Sequence, residues 1–442
     1  MAASVFDSPL FGDLFPAGDV GRLFTDTAEL RAMLLVEGAL AKAQAQHGLI
    51  PEDSADAIKR ATLEIQLDPG ALRKPTGTNG VSVPGMVALF RSEMQAPEHA
   101  QYVHWGATSQ DIIDTGLMLR LRQACGLIET DLQTVVSHLA KLAEAHSETP
   151  MPGRTYGQVA TPTSFGAVVA SWGTPILNLL DELPALRETC LLVSLSGAAG
   201  TASALGSKAT DLRRDLAAGL GLTDPQCSWH TDRTPILRIS DWCTRVTLAL
   251  GKIGEDATEL VQTGIQELSL GGAGASSTMP QKQNPVQPSV LVALSRQTSG
   301  MASILQSAAI HRHQRDGAAW FTEWMCLPQI VLGAASAARV AGSLCQNLTP
   351  QVEQMRRSTD GSLGMILAEA FSFALAELMP RPDAQAAVKA LCREAQASDT
   401  HLRDLVTRDY PDLDALNLFE VEQQLGQAPQ EAKAFVERAR RV

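Results

Sequence analysis

The chain has few aromatics, a deficit of positive charge and no paired cysteine motif, and each shortage excludes a class of protein. Aromatic residues make up 5% of the 442 residues, and 11 Phe with 3 Tyr are too few for packed sheets built on aromatic and β-branched side chains. Lys and Arg number 36 against 48 Asp and Glu, a net charge of −12. A chain so charged lacks the basic face that nucleic acid or an anionic membrane surface demands, so neither is expected as a partner. The seven cysteines, at 125, 190, 227, 243, 326, 345 and 392, are scattered and include no Cys-x-x-Cys. That is the usage of reduced thiols in a cytoplasmic protein. The first basic residue is Arg22, so no basic segment precedes an apolar run, and no signal peptide or membrane span is expected. His311 and His313 lack neighbours at metal-ligand spacing, so neither metal nor cofactor is implied.

What is present is helical periodicity. Ile128, Leu132, Val135, Leu139 and Leu142 recur at alternating steps of four and three residues, one stripe of a long helix. Further long helices are expected from Pro235 towards Leu270, from Pro162 to Ala185 with a kink at Gly173-Thr174-Pro175, and from Pro288 to His311. With 45% hydrophobic and 19% charged residues, the chain reads as a globular all-α protein. Its expected parts are an N-terminal helical domain (1–103), a central long-helix bundle (104–345) and a C-terminal helical cap (346–442). Apolar stripes of this length need more partners than one chain supplies, which points to an oligomer.

The most informative stretch runs from Ser276 to Pro285, Ser-Ser-Thr-Met-Pro-Gln-Lys-Gln-Asn-Pro, after the glycine-rich approach Gly271-Gly272-Ala273-Gly274-Ala275. Paired hydroxyls, a lysine, an asparagine and two prolines make a poor core. They suit a loop that closes over an anionic substrate and excludes water. This stretch resembles the signature loop of the fumarase/aspartase superfamily, Gly-Ser-Ser-x-Met-Pro-x-Lys-x-Asn-Pro, with Ala275 in place of the usual glycine. The resemblance implies a fumarase/aspartase-like fold with a long central helical bundle. It also implies removal or delivery of a proton at the carbon beside a carboxylate. Ser276 would be the proton-transfer group, with Ser277 beside it, and Lys282 and Asn284 would hold the substrate's carboxylate. Backbone amides and Lys282 would stabilise the serine alkoxide.

Two further stretches extend the resemblance. Tyr102 to Thr115 is similar to the first signature region of the branch holding adenylosuccinate lyases and carboxymuconate cycloisomerases. It offers His104, Thr108 and Ser109 at a helix start, where unpaired amides favour anions. Helix capping by Ser109 or Asp111 is a second, compatible reading. Gly153 to Thr163 is similar to the family's Thr-His-x-Gln-x-Ala-x-Pro segment and supplies Thr155 and Gln158, but Tyr156 stands where the histidine belongs. That histidine normally pairs with a glutamate five residues past the loop asparagine, and here the position is Ser289. After His313-Gln314-Arg315-Asp316, the serines and arginine that grip a nucleotide phosphate in adenylosuccinate lyases are replaced by alanine, Phe321 and Trp324.

These departures are shared with the bacterial 3-carboxy-cis,cis-muconate cycloisomerases, which the chain also resembles at Leu205-Gly206-Ser207-Lys208-Ala209 and Trp229-His230-Thr231-x-Arg233. Membership would imply that a substrate carboxylate adds to its own double bond and closes a γ-lactone. A small polycarboxylate substrate and a homotetramer with shared active sites follow from the same resemblance, and Arg315 would join the carboxylate-binding residues. The competing reading is a superfamily lyase acting on adenylosuccinate or another succinyl compound; a non-catalytic helical scaffold is the third.

Overall fold

The computed structural model describes residues 4–271, 274, 275, 279 and 282–442. Five long helices dominate: Ser109–Ala145, Phe165–Cys190, Thr234–Val261, Val286–Ser307 and Gly317–Asn347. On the first, Ile128, Leu132, Val135 and Leu139 are fully buried, as their spacing predicts. The second starts at Phe165, later than expected, because Pro162 belongs to a strand, and it continues unbroken through Gly173-Thr174-Pro175 to Cys190. Gly173 serves close packing: a Cβ there would lie 2.2 Å from the Phe435 ring. The third ends at Val261 rather than near Leu270. Gly264 (φ 96°) and Gln266 (φ 53°) turn the chain there, and Leu268–Leu270 becomes a strand.

Strands are short and few. β1 (Pro150–Thr155) and β2 (Gln158–Ser164) form an antiparallel hairpin with an irregularity between Pro152 and Arg154. β3 (Leu268–Leu270) pairs with β6 (Leu348–Pro350), and β4 (Gly274–Ala275) with β5 (Gln283–Asn284). Fold class is therefore all-α with β ribbons at the loops. All seven cysteines are among the described residues and none forms a disulfide.

The chain divides into two compact units. The first comprises 1–131, 179–248 and 293–340. Its core brings Leu34, Met86, Phe90, Ile112, Val193 and Trp320 together. Helix Asp26–Gln46, capped by the Thr25 side chain on the Ala28 amide at 3.2 Å, lies close against helix Glu52–Glu64. Gly38 permits the approach, since a Cβ there would sit 2.6 Å from Thr62 Oγ1. The second unit comprises 132–178, 249–292 and 341–442. It holds all three ribbons and a separate C-terminal core around Phe371, Leu375, Leu391, Leu402 and Val406. Helix Gly317–Asn347 is long and apolar enough to cross a membrane by composition, but 72% of its most apolar window is buried inside the protein. Its composition thus reflects core packing.

Candidate functional site

At the start of helix Ser109–Ala145 the sequence places a carboxylate where a helix accepts one. Asp111, in the first turn, accepts the Thr108 amide at 3.0 Å, the side-chain half of a capping box. Asp111 therefore fills the capping role, and the Ser109 hydroxyl, half-buried, has no partner among the described residues. Asp111 also accepts the amides of Ser196 (2.8 Å) and Gly197 (2.9 Å), the Ser194 hydroxyl (3.1 Å) and His230 Nε2 (2.8 Å). Burial opposes its ionised form. The hydrogen bond and charge of His230, with the amides of Thr108 and Ser196, outweigh that and hold the carboxyl below its ordinary range. One buried carboxylate thus ties the 194–197 loop to the helix start.

His104 precedes this turn in a left-handed conformation (φ 63°), with Gly106 at φ 73°. Its Nδ1 bonds Glu37 Oε1 at 2.7 Å and its backbone N–H donates to Glu37 Oε2 at 3.1 Å. Burial disfavours the imidazolium, but the Glu37 hydrogen bond and charge, with a smaller contribution from Asp111, raise the His104 pKa above its usual value. Since a carboxylate only accepts, Nδ1 carries the proton and Nε2 is the nitrogen left for other partners.

Arg315 is brought to the same helix start. Its Nε donates to Gln110 Oε1 at 2.9 Å, and its Nη2 donates to Thr108 Oγ1 (3.3 Å) and the Ala198 carbonyl (3.4 Å). All three partners are neutral, and Arg315 has no carboxylate partner among the described residues. Gln110 is fully buried, and its amide group donates to Asp114 Oδ2 (3.1 Å) and the His230 carbonyl (2.9 Å). Behind it, Arg233 forms two-pronged bonds to Asp114 (2.8 and 3.1 Å) and Glu323 (2.9 and 2.7 Å) and lies 4.9 Å from the Trp229 ring centroid. Burial pushes the Glu323 carboxyl up, against the pull of Arg233. Trp324, at the position of a phosphate-gripping arginine in nucleotide-cleaving relatives, packs on Trp320 and Phe321 at centroid distances of 4.8 and 5.2 Å. An aromatic stack offers no fork for phosphate.

The remaining predicted residues lie in the second unit. Thr155 and Gln158 pair across the β1–β2 hairpin and are exposed, as is Tyr156 at its tip (φ 54°). The hairpin is anchored by Arg154, whose guanidinium bonds the fully buried Glu267 at 2.6 and 2.7 Å. Lys282 and Asn284 line a cavity of about 800 Å³ together with Ser269, Gln351 and Arg357. Ser276 and Ser277 lie outside the described residues. Ser289 donates its hydroxyl to the Pro285 carbonyl at 2.8 Å, one turn back in its own helix.

Sequence reasoning named His104, Thr108, Ser109 and Arg315, gave Asp111 or Ser109 a capping role, and gave none to Glu37, Gln110, His230 or Arg233. For Glu37, Gln110 and Asp111 the available signal was an ionisable or amide residue within a largely apolar helix, where it must find a partner; His230 and Arg233 precede helix Thr234–Val261 and carried no such signal.

Five long helices with short β ribbons, Lys282 and Asn284 lining a polar cavity, and Arg315 held by neutral partners at a helix start fit the class of carboxylate-handling lyases. A family model described as lyase matches residues 16–300, and the chain belongs to this family, within the fumarase/aspartase superfamily. Among its relatives, the 3-carboxy-cis,cis-muconate cycloisomerase of Pseudomonas putida is 37% identical over 405 residues, covering 90% of this chain and 96% of the relative. The nitrosuccinate lyase of Streptomyces davaonensis is 35% identical over 451 residues, 97% of this chain and 94% of that one. The solved structure of the 3-carboxy-cis,cis-muconate lactonizing enzyme from Pseudomonas putida superposes with a TM-score of 0.92 at 35% identity, over 98% of this chain and 99% of the other.

Proposed function

We propose that the protein is a 3-carboxy-cis,cis-muconate cycloisomerase. The observation that carries this reading is the joint loss of the histidine–glutamate pair. Tyr156 stands where the histidine belongs, and Ser289 spends its hydroxyl on its own helix. A lyase needs such a pair for the group it expels. An isomerase that adds a substrate carboxylate to the substrate's own double bond expels nothing and activates no water. It needs a clamp, proximity and one proton-transfer group.

In this reading the carboxylate oxygen bonds to the alkene carbon and closes the γ-lactone. The electron pair of the double bond moves to the carbon beside a second carboxylate, and Ser276 delivers a proton there. The Ser276 alkoxide left behind takes a proton from solvent, so the tricarboxylate gains one proton overall and becomes the dicarboxylate lactone. Thr108, Ser109, Arg315, Thr155, Gln158, Ser277 and Asn284 hold carboxylates, and Lys282 stabilises the anionic intermediate and the serine alkoxide. His104, held protonated on Nδ1 by Glu37, presents Nε2 to the substrate as a second catalytic group. The active form is a homotetramer in the cytoplasm whose sites draw residues from more than one chain. Exposed apolar residues on three long helices support this: Leu248 and Ile304 (49% each) and Met325 (67%).

The similarity to nitrosuccinate lyase over 97% of the chain favours a second reading, a lyase releasing a small anion from a substituted succinate. One assay separates the two. Purified protein is given 3-carboxy-cis,cis-muconate, nitrosuccinate, adenylosuccinate and fumarate in parallel. Lactone formation far above every other activity is expected; rapid nitrite release with no cyclisation would replace the first reading with the second.

A further inference from the structure

The first unit holds a cavity of about 1060 Å³ that the proposed chemistry does not use. It lies between helices Asp26–Gln46 and Glu52–Glu64, the 119–123 segment and residues 215–220. Five cations line it, Arg31, Lys42, Lys59, Arg120 and Arg122, with His47, against one carboxylate, Asp215. In a chain of net charge −12 that is a reversal of sign confined to one place.

The cations there are poorly compensated. Arg31 donates to the Thr62 carbonyl, and Arg122 to the carbonyls of Leu220 (2.6 Å) and Gly221 (2.7 Å). Asp215 is engaged by His47 at 2.7 Å. Lys42 and Lys59 are exposed and have no carboxylate partner among the described residues. Arg120 is the telling case. It is 8% exposed, its Nη1 donates to the Leu23 carbonyl (3.3 Å) and its Nη2 reaches Glu29 only at 3.5 Å, while its buried Nε has no acceptor among the described residues. A largely buried guanidinium on the wall of a cavity, with its one carboxylate partner that distant, lowers its energy by meeting an anion. The remaining lining is apolar, with Leu23, Leu35, Leu63 and Leu119 among it. Charge and apolar surface together select a small carboxylate with an apolar body, not an inorganic anion.

The cavity's position suggests what binding would do. Arg31, Leu35 and Lys42 occupy one face of helix Asp26–Gln46, and Glu37, two residues from Leu35 and so on the opposite face, holds both the ring and the backbone of His104. We propose that this cavity is a regulatory site for arene or alkene carboxylates, coupled to His104 through the Asp26–Gln46 helix. It is separate from the site where the substrate reacts, and the inference stands whichever superfamily substrate the protein acts on.

The test uses the full-length protein and 1-naphthoate as probe, with uncharged 1-naphthalenemethanol as control. Calorimetry should show saturable binding of the naphthoate and at least about tenfold weaker binding of the alcohol. The double variant Lys42→Glu/Lys59→Glu changes two exposed side chains and should keep the fold and basal turnover while weakening naphthoate at least about tenfold. Arg120→Met, checked for folding by thermal melting, should weaken it similarly. In steady-state assays naphthoate should change kcat without competing with substrate, and the double variant should lose that response. Absent binding, equal binding by the alcohol or by the double variant, purely competitive inhibition, or binding with no change in turnover would each overturn the proposal.

Discussion

Gln110 Oε1 accepts Arg315 Nε at 2.9 Å, so a glutamine with no exposed surface aims a guanidinium that has no carboxylate partner among the described residues. The glutamine amide is itself fixed by Asp114 and the His230 carbonyl, which leaves the pair little freedom. If Arg315 grips a substrate carboxylate, Arg315→Ala removes charge-assisted hydrogen bonds and should lower kcat/KM by about 100-fold, roughly 3 kcal/mol. Gln110→Leu removes only the aim and should cost about tenfold, mostly through KM. The double variant should be no worse than Arg315→Ala, because the two act through one contact. Additive losses in that cycle would separate Gln110 from Arg315.

Asp111 collects five donors in a site without solvent exposure. Asp111→Ala strands all of them and should destabilise the protein by about 3–5 kcal/mol in denaturant unfolding. The pH dependence has a definite sign. Because the folded-state pKa is depressed, the carboxylate's contribution is complete above its unfolded value near 3.8 and is lost as pH falls through the folded value. Acid unfolding of the wild type should therefore be steeper in that window than for Asp111→Asn. Equal acid profiles would assign the stabilisation to other groups.

How far the sequence was legible follows from what periodicity encodes. The stripe Ile128, Leu132, Val135, Leu139 and Leu142 marked a helix and its buried face, and the structure buries the first four fully and Leu142 in part. Tyr156 and Ser289 were legible as departures because a motif defined their positions. Asp111 meeting His230, or Asp114 meeting Arg233, was not: each contact joins residues 119 apart in sequence, and no local pattern links them. The end of helix Thr234–Val261 was misjudged for a related reason. Little in that stretch reads as helix-breaking, while Gly264 at φ 96° and the pairing of Leu268–Leu270 with the distant Leu348–Pro350 end the helix at Val261.

The ion pair of His104 with Glu37 gives an opposite dependence on pH. His104 has a raised pKa, so its charged interaction stabilises the fold fully below the unfolded value near 6.5 and fades as pH rises through the higher folded value. The difference in Tm between wild type and Glu37→Gln should be widest below pH 6.5 and shrink as pH rises through the raised folded value. A gap constant over that range would mean that the neutral hydrogen bonds, not the charges, hold His104. Turnover of Glu37→Gln should fall in parallel, since Glu37 also fixes which ring nitrogen bears the proton.

The last prediction concerns Ser276 and assembly together. Ser276→Ala removes one oxygen and should lower turnover by about 10³-fold or more with little change in Tm, because proton transfer to carbon then has no donor. His104→Asn should also be inactive but through a different part of the site. If sites are composed from several chains, mixed tetramers of these two inactive proteins, formed by joint unfolding and refolding, contain some sites with both Ser276 and His104 intact. Activity should then return in proportion to the mixed species. The exposed Leu248, Ile304 and Met325 give an independent handle, since each sits on a different long helix and is 49–67% exposed in the single chain. Placing charge on such a face with Ile304→Glu and Met325→Glu should break the oligomer, because a buried unpaired carboxylate costs several kcal/mol per interface. Sedimentation should show dissociated chains, folded by circular dichroism and without activity. Folded, dissociated and fully active chains, or no recovery in proven mixed tetramers, would mean that each chain completes its own site.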